Sequence, residues 1–183
     1  MFPEKTAGSI KTPALLKERG FSLRYATAGD MPELRALYAD TRSEEMKGVP
    51  WSALAKQQFL DQQFDLQHRH YLEHYAEAEF MVIEYRNTLQ GRYYLLRTAP
   101  DHLIVDICLM AEKRGLGIGR ALLLDSMQEA CALGRGMHLH VLKYNIRARR
   151  LYEALGFIIC ADSDMYHQMR WVPDENKIPI THP

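Results

Sequence analysis

Arg114-Gly115-Leu116-Gly117-Ile118-Gly119 is the stretch whose residue types most directly imply chemistry. Glycines at alternate positions let a backbone curl without Cβ clashes, and Arg120 opens a helical pattern immediately afterwards. The first N–H groups of a helix have no acceptor of their own and converge on one point. The helix dipole adds partial positive charge there, and Arg114 and Arg120 add full charges. A phosphorylated ligand is what such a turn would hold. The spacing G-x-G-x-G differs from the dinucleotide fingerprint G-x-G-x-x-G, and no Gly-Lys-Ser/Thr follows Gly115 as a Walker loop requires. Asp106 is a second candidate, the one carboxylate in the apolar run Leu103 to Met110. A buried carboxylate must be paired or protonated, so it reads either as a proton acceptor or as a structural acceptor for neighbouring N–H groups. His138 and His140 share one face of a strand and Glu84 lies on an earlier one, but a metal centre would need a third ligand that the sequence does not offer.

Two motifs carry a family resemblance. Arg114, Gly117 and Gly119 fit [Q/R]-x-x-G-x-[G/A], and Asn145, Ala148, Leu151, Tyr152, Glu153, Leu155, Gly156 and Phe157 fit N-x-x-A-x-x-L-Y-E-x-L-G-F. Together they resemble the GNAT superfamily of acyl-CoA-dependent N-acetyltransferases. The first half of the chain is similar to that family only in its order of elements. The resemblance implies acetyl-CoA as co-substrate, with no metal. Its pyrophosphate would lie on backbone groups of Arg114, Gly115, Leu116, Gly117, Ile118, Gly119 and Arg120. Leu109 and Met110 would offer main-chain groups to the pantetheine in a gap between two splayed central strands, with Asn145 nearby. Tyr152 is similar to the family tyrosine that protonates the departing thiolate, and Asp106 would deprotonate the amine directly or through water. Ala111 departs from the family, where many relatives have proline. The implied activity is direct acetyl transfer to a primary amine of a small polar molecule or a peptide. A non-catalytic acyl-CoA-binding or sensing module is the alternative.

The elements that must position these residues are legible from periodicity. Residues 1–20 read as an N-terminal arm with one helical turn around Leu15-Leu16, and residues 173–183 as a tail. Between them, residues 21–172 form a single domain of the order β-α-α-β-β-β-α-β-α-β-β. This is α+β with a mixed, mostly antiparallel sheet flanked by helices. Phe21 to Ala26 alternates as a strand, and Asp30 is a candidate N-cap for a helix from Met31 to about Ser43. Ser52 to about Tyr75 contains no glycine or proline and reads as one long helix. Gln63, Gln67 and His70 fall on one uncharged polar stripe of it, with Phe59 and His74. That stripe is either a solvated face or the wall of the acceptor site. Phe80 to Arg86 and Tyr93 to Arg97 are expected as a hairpin with a five-residue connection. Leu103 to Met110 is expected as a central strand buried on both faces.

Composition narrows the partners. Lysine plus arginine and aspartate plus glutamate each number 23 in 183 residues, so no global field recruits nucleic acid or an anionic membrane. No signal peptide or membrane span is apparent. Cys108, Cys131 and Cys160 lack C-x-x-C spacing and read as buried, reduced thiols of a cytoplasmic protein. Homodimerisation is left open.

Overall fold

The computed structural model describes residues 2–3 and 10–173. Its elements in chain order are α1 (Ala14–Glu18), β1 (Phe21–Tyr25), α2 (Met31–Lys47), α3 (Ala53–His74), β2 (Glu79–Tyr85), β3 (Thr88–Leu96), β4 (Asp101–Leu109), α4 (Ile118–Ala132), β5 (Gly136–Leu142), α5 (Ile146–Ala154), β6 (Ile158–Asp162) and β7 (Tyr166–Trp171). Short helical turns lie at Ala28–Asp30 and Ala111–Lys113. The strands make one sheet in the order β1-β2-β3-β4-β5-β7-β6. Every neighbour is antiparallel except β4 with β5. This is the expected α+β architecture.

Period-two alternation splits the core across the sheet. Met81, Ile83, Tyr93 and Leu95 join Leu16, Ile118, Leu122 and Phe157 on the face covered by α1, α4 and α5. Phe80, Val82 and Tyr94 join Leu34, Leu37 and Phe64 on the face covered by α2 and α3. Each large side chain so buried contributes about 1.5–3 kcal/mol. Leu16 is fully buried, so the described part of the expected arm is a docked helix. Phe2 also packs against Phe80 and His68. The expected tail, from residue 174 onward, lies outside the described residues, as do residues 1 and 4–9.

The two central strands part company. β4 and β5 pair only from Asp101↔Gly136 to Ile104↔Leu139. On its other edge β4 stays paired with β3 as far as Gly91↔Leu109. From Val105 onward β4 therefore borders a gap. A bulge marks the place: Tyr94 faces Asp106 and Leu95 faces Ile104, so Val105 is the extra residue. Burial on both faces holds for His102 to Ile104 but not beyond, where the gap leaves Val105 to Leu109 half-buried.

Other expectations also shift. The β2–β3 connection is the pair Arg86-Asn87, both with positive φ (51° and 62°), so β3 starts at Thr88 and not Tyr93. Ser52 does cap α3, accepting from the Ala55 N–H at 3.2 Å. Asp30 precedes α2, but its carboxylate accepts from the Thr27 N–H and from Arg24 and does not cap the helix. Cys108 and Cys131 are half-buried, whereas Cys160 is exposed because β6 is an edge strand with no residue covered. No described helix is long and apolar enough to cross a membrane.

Candidate active site

The glycine-rich turn follows β4 after Met110 and the short helical turn Ala111–Lys113. The Met110 N–H is spent on the Gln90 carbonyl of β3 at 2.9 Å. Successive residues of a strand turn their main-chain groups to opposite edges, so those of Leu109 face the gap. Gly115 and Gly117 have φ of +81° and +80°, a region that side chains rarely adopt. Gly117 precedes α4 and offers no side-chain cap, so the first-turn N–H groups of Ile118, Gly119 and Arg120 remain for a ligand. Gly119 differs from the other two. A Cβ there would sit 3.7 Å from Ile107 and 3.8 Å from Leu151, in ordinary contact, so the chain itself does not require glycine.

Arg114 is used differently from the expectation. Its Nε donates to the Leu109 carbonyl at 2.8 Å and its Nη2 to Asp40 Oδ2 at 2.6 Å. Asp40 also accepts from the Ala111 N–H at 2.8 Å, so one carboxylate of α2 staples the base of the loop. The charge of Arg114 is thereby answered within the protein, while Arg120 stands exposed at the first turn. Two further arginines reach the loop. Arg19 donates to the Leu116 carbonyl at 2.8 Å, and Arg147 Nη2 stands 2.8 Å from where a Cβ on Gly115 would be. The basic run Arg147, Arg149, Arg150 was the sequence signal for Arg147; nothing local pointed to Arg19 or Asp40.

Tyr152 is a core residue of α5, and Asp106 belongs to the part of β4 that borders the gap. Asn145 caps α5 by accepting from the Ala148 N–H at 3.1 Å, and this helix sets Tyr152 in the core at 7% exposure. Burial first, then the charge of Asp106, pushes the Tyr152 phenol above its ordinary value, so it keeps its proton at neutral pH. Burial likewise pushes the Cys108 thiol up to about 12, against the pull of Arg92. Asp106 Oδ2 forms an ion pair with Arg92 Nη2 at 2.5 Å and accepts from the Tyr71 hydroxyl at 3.2 Å. Arg92 Nη2 also donates to Gln67 Oε1 at 2.6 Å. Burial is the largest effect and works against the charge of Arg92, but Asp106, joined by Cys108, Tyr94 and Tyr71, holds the guanidinium well above its ordinary value. Burying two ions costs several kcal/mol each, and removing one partner of such a pair costs about 3–5 kcal/mol. Arg92 escaped sequence reading because only strand register brings it beside Asp106. Beside it, Gln90 Oε1, Arg92 Nε and the Tyr94 hydroxyl are buried without a protein partner.

The uncharged stripe of α3 is not uniform. Gln63 is half-buried, Gln67 belongs to the Arg92 network, and His70 is exposed and stacked on His74 with centroids 4.2 Å apart. Glu84 pairs with Arg24, and among the described residues no three His, Cys, Asp or Glu side chains are grouped to hold a metal ion. A cavity of about 570 Å³ lies elsewhere, between β1–β3 and α4, with Tyr93, Arg97 and Asp125 in its lining and none of the expected site residues.

Residues 33–157 match the sequence profile of the acetyltransferase (GNAT) family. A 5-NmdU N-acetyltransferase of Pseudomonas phage PaMx11 is 32% identical over 92 residues, which is 49% of this chain and 64% of that protein. This chain therefore spans less than two thirds of that relative. The PaiA N-acetyltransferase of Thermoplasma acidophilum, solved in complex with coenzyme A, superposes with a TM-score of 0.64 at 17% identity, covering 84% of this chain and 99% of that one. The ribosomal-protein-S18-alanine N-acetyltransferase of Escherichia coli gives 0.55 at 18% identity, covering 85% and 97%. At such identities the likeness is one of fold. With the profile spanning most of its length, the chain belongs to the acetyltransferase (GNAT) family.

Proposed function

We propose that this protein transfers the acetyl group of acetyl-CoA directly to a primary amine of a small, polar acceptor. The observation that carries this reading is the junction of two features: β4 and β5 part after Ile104, and the strand beside the gap leads, through the short turn Ala111–Lys113 and the glycines, to a helix N-terminus with no side-chain cap. The residues present fit the co-substrate. The N–H groups from Gly115 to Arg120 would hold its pyrophosphate, with Arg147 and Arg19 close by. Arg114 contributes by fixing the loop. The Leu109 main chain would border the pantetheine, and Asn145 starts the helix on the other side.

Acetyl-CoA supplies an activated acyl carbon and a thiolate leaving group. Tyr152 keeps its proton to neutral pH and above, and donates it to the departing sulfur. Asp106, held at Oδ2 by Arg92 and Tyr71, receives an N–H of the amine at Oδ1, and the surplus proton leaves to Asp106 or through it to water. With its pKa near 12, Cys108 is a thiol at neutral pH, which supports direct transfer over a relay through an acetylated cysteine. Relatives are named for unlike acceptors, 5-NmdU in one and a ribosomal-protein alanine in another, so the acceptor is read from this chain's own wall. Gln63 and His70 offer hydrogen bonds without fixed charge, which favours a polar, neutral body over a polycation. Three free cysteines fit a reducing compartment such as the cytoplasm. Thiol release from acetyl-CoA across a panel of amines tests the proposal. Release that depends on one class of amine supports it, and CoA binding without release for any amine favours a sensing module.

A further inference from the structure

Resting on the acetyl-transfer reading above, we propose that Arg92 is a positioning residue of the acceptor site. It holds Asp106 by one carboxylate oxygen so that the other receives the acceptor amine. Arg92 projects from β3 with its side chain 4% exposed. Its Nη2 donates to Gln67 Oε1 of α3 at 2.6 Å and stands in an ion pair 2.5 Å from Asp106 Oδ2 of β4. One nitrogen thus joins the helix wall to the strand that borders the gap. The Tyr71 hydroxyl reaches the same Oδ2 from α3 at 3.2 Å. An ion pair and a hydrogen bond on one oxygen restrain the rotation of the carboxylate, and Oδ1 accepts no hydrogen bond among the described residues.

The placement fits a reacting amine. Asp106 lies two residues past Ile104, the last position that β5 pairs, and after burial its charge contributes to raising the Tyr152 phenol. The guanidinium carbon lies 5.4 Å from the Tyr94 ring centre and 6.0 Å from that of Tyr71, so aromatic walls hold the fork in plane. Stability alone is a weak reason to keep such a group, because apolar side chains of similar volume stabilise a core as well as a buried ion pair does. A planar guanidinium lying over Tyr94 and Tyr71 has its orientation set by those rings, and the compact ammonium of a lysine loses that restraint while keeping the charge.

The experiment compares wild type, Arg92→Met, Arg92→Lys, Asp106→Asn and Arg92→Met/Asp106→Asn. Acceptor KM and kcat are measured at saturating acetyl-CoA, and CoA affinity by calorimetry. Arg92→Met is expected to lower acceptor kcat/KM about tenfold or more while CoA affinity stays within about twofold. Arg92→Lys, which keeps the charge, recovers only part of the loss and carries the test if the Met variant does not fold. The double variant should be no worse than Asp106→Asn alone, because Arg92 acts through Asp106. Acceptor kcat/KM within about threefold of wild type in the folded variants would overturn the proposal. So would a fall in CoA affinity that tracks the acceptor kinetics, which would mark general damage to the fold. A wild-type protein that acetylates no amine would instead defeat the underlying acetyl-transfer reading.

Discussion

At Tyr152 the ring and the hydroxyl have separable consequences. The ring packs beside Phe157 with centroids 6.0 Å apart, and Tyr152→Phe keeps that contact while removing the proton. We expect kcat to fall about 10–100-fold with CoA affinity unchanged. Steady-state kinetics at a pH where chemistry limits the rate check this, and wild-type kcat would dismiss the acid role. The loop glycines separate in the same way. Gly117→Val forces a side chain into φ of +80°, costing about 1–2 kcal/mol, and should abolish CoA binding by deforming the turn. Gly119→Ala should leave the melting temperature of the free protein unchanged, yet shrink the increase that CoA produces, since only the ligand crowds that position. Tyr152 and the glycines were all legible as a motif. Which glycines need their conformational freedom was not, because φ is set by the path of the chain and not by spacing.

Among the elements, α2 proves to be more than a cover for the sheet. Asp40 reaches the loop 71 and 74 residues away in sequence, holding Ala111 and Arg114 together. Asp40→Asn should therefore weaken CoA binding about 3–10-fold with little loss of stability, as calorimetry and urea unfolding would show. The start of α2 is sensitive to acid. The hydrogen bond from Arg24, working against burial, holds Asp30 down at about 2. A depressed carboxylate contributes stability above its unfolded value near 3.8, and that contribution is lost as pH falls towards 2. Asp30→Asn should cost about 1–2 kcal/mol at pH 7, a figure reduced because Arg24 is partly in water. The difference between the two proteins should shrink in urea melts as pH falls from about 4 and be lost below about pH 2. Most helices were readable from periodicity and caps, as Ser52 shows. The β2–β3 hairpin was misjudged because Thr88, Gln90 and Gly91 look like turn residues, and only pairing with β2 makes them strand.

On the scale of the whole molecule, the gap between β4 and β5 organises the chemistry, and no local pattern announces it. Leu103 to Met110 reads as an unbroken apolar strand, while the bulge at Val105 and the end of pairing at Ile104 belong to the sheet. The Arg92–Asp106 pair is hidden for the same reason. Arg92 pairs with Cys108 and Tyr94 with Asp106, so the two charges meet on a diagonal that only the register defines. Asp106 was visible as a carboxylate in need of a partner; the partner was not. Direct acetyl transfer is tested most directly by mixing the protein with acetyl-CoA, with and without a panel of small polar primary amines. Thiol release and the mass of the intact protein are followed together. We predict release of free CoA only when an amine is present, with no acetyl adduct on the protein in its absence. Release without amine accompanied by an acetyl adduct on Cys108, or no release with any amine, would contradict it.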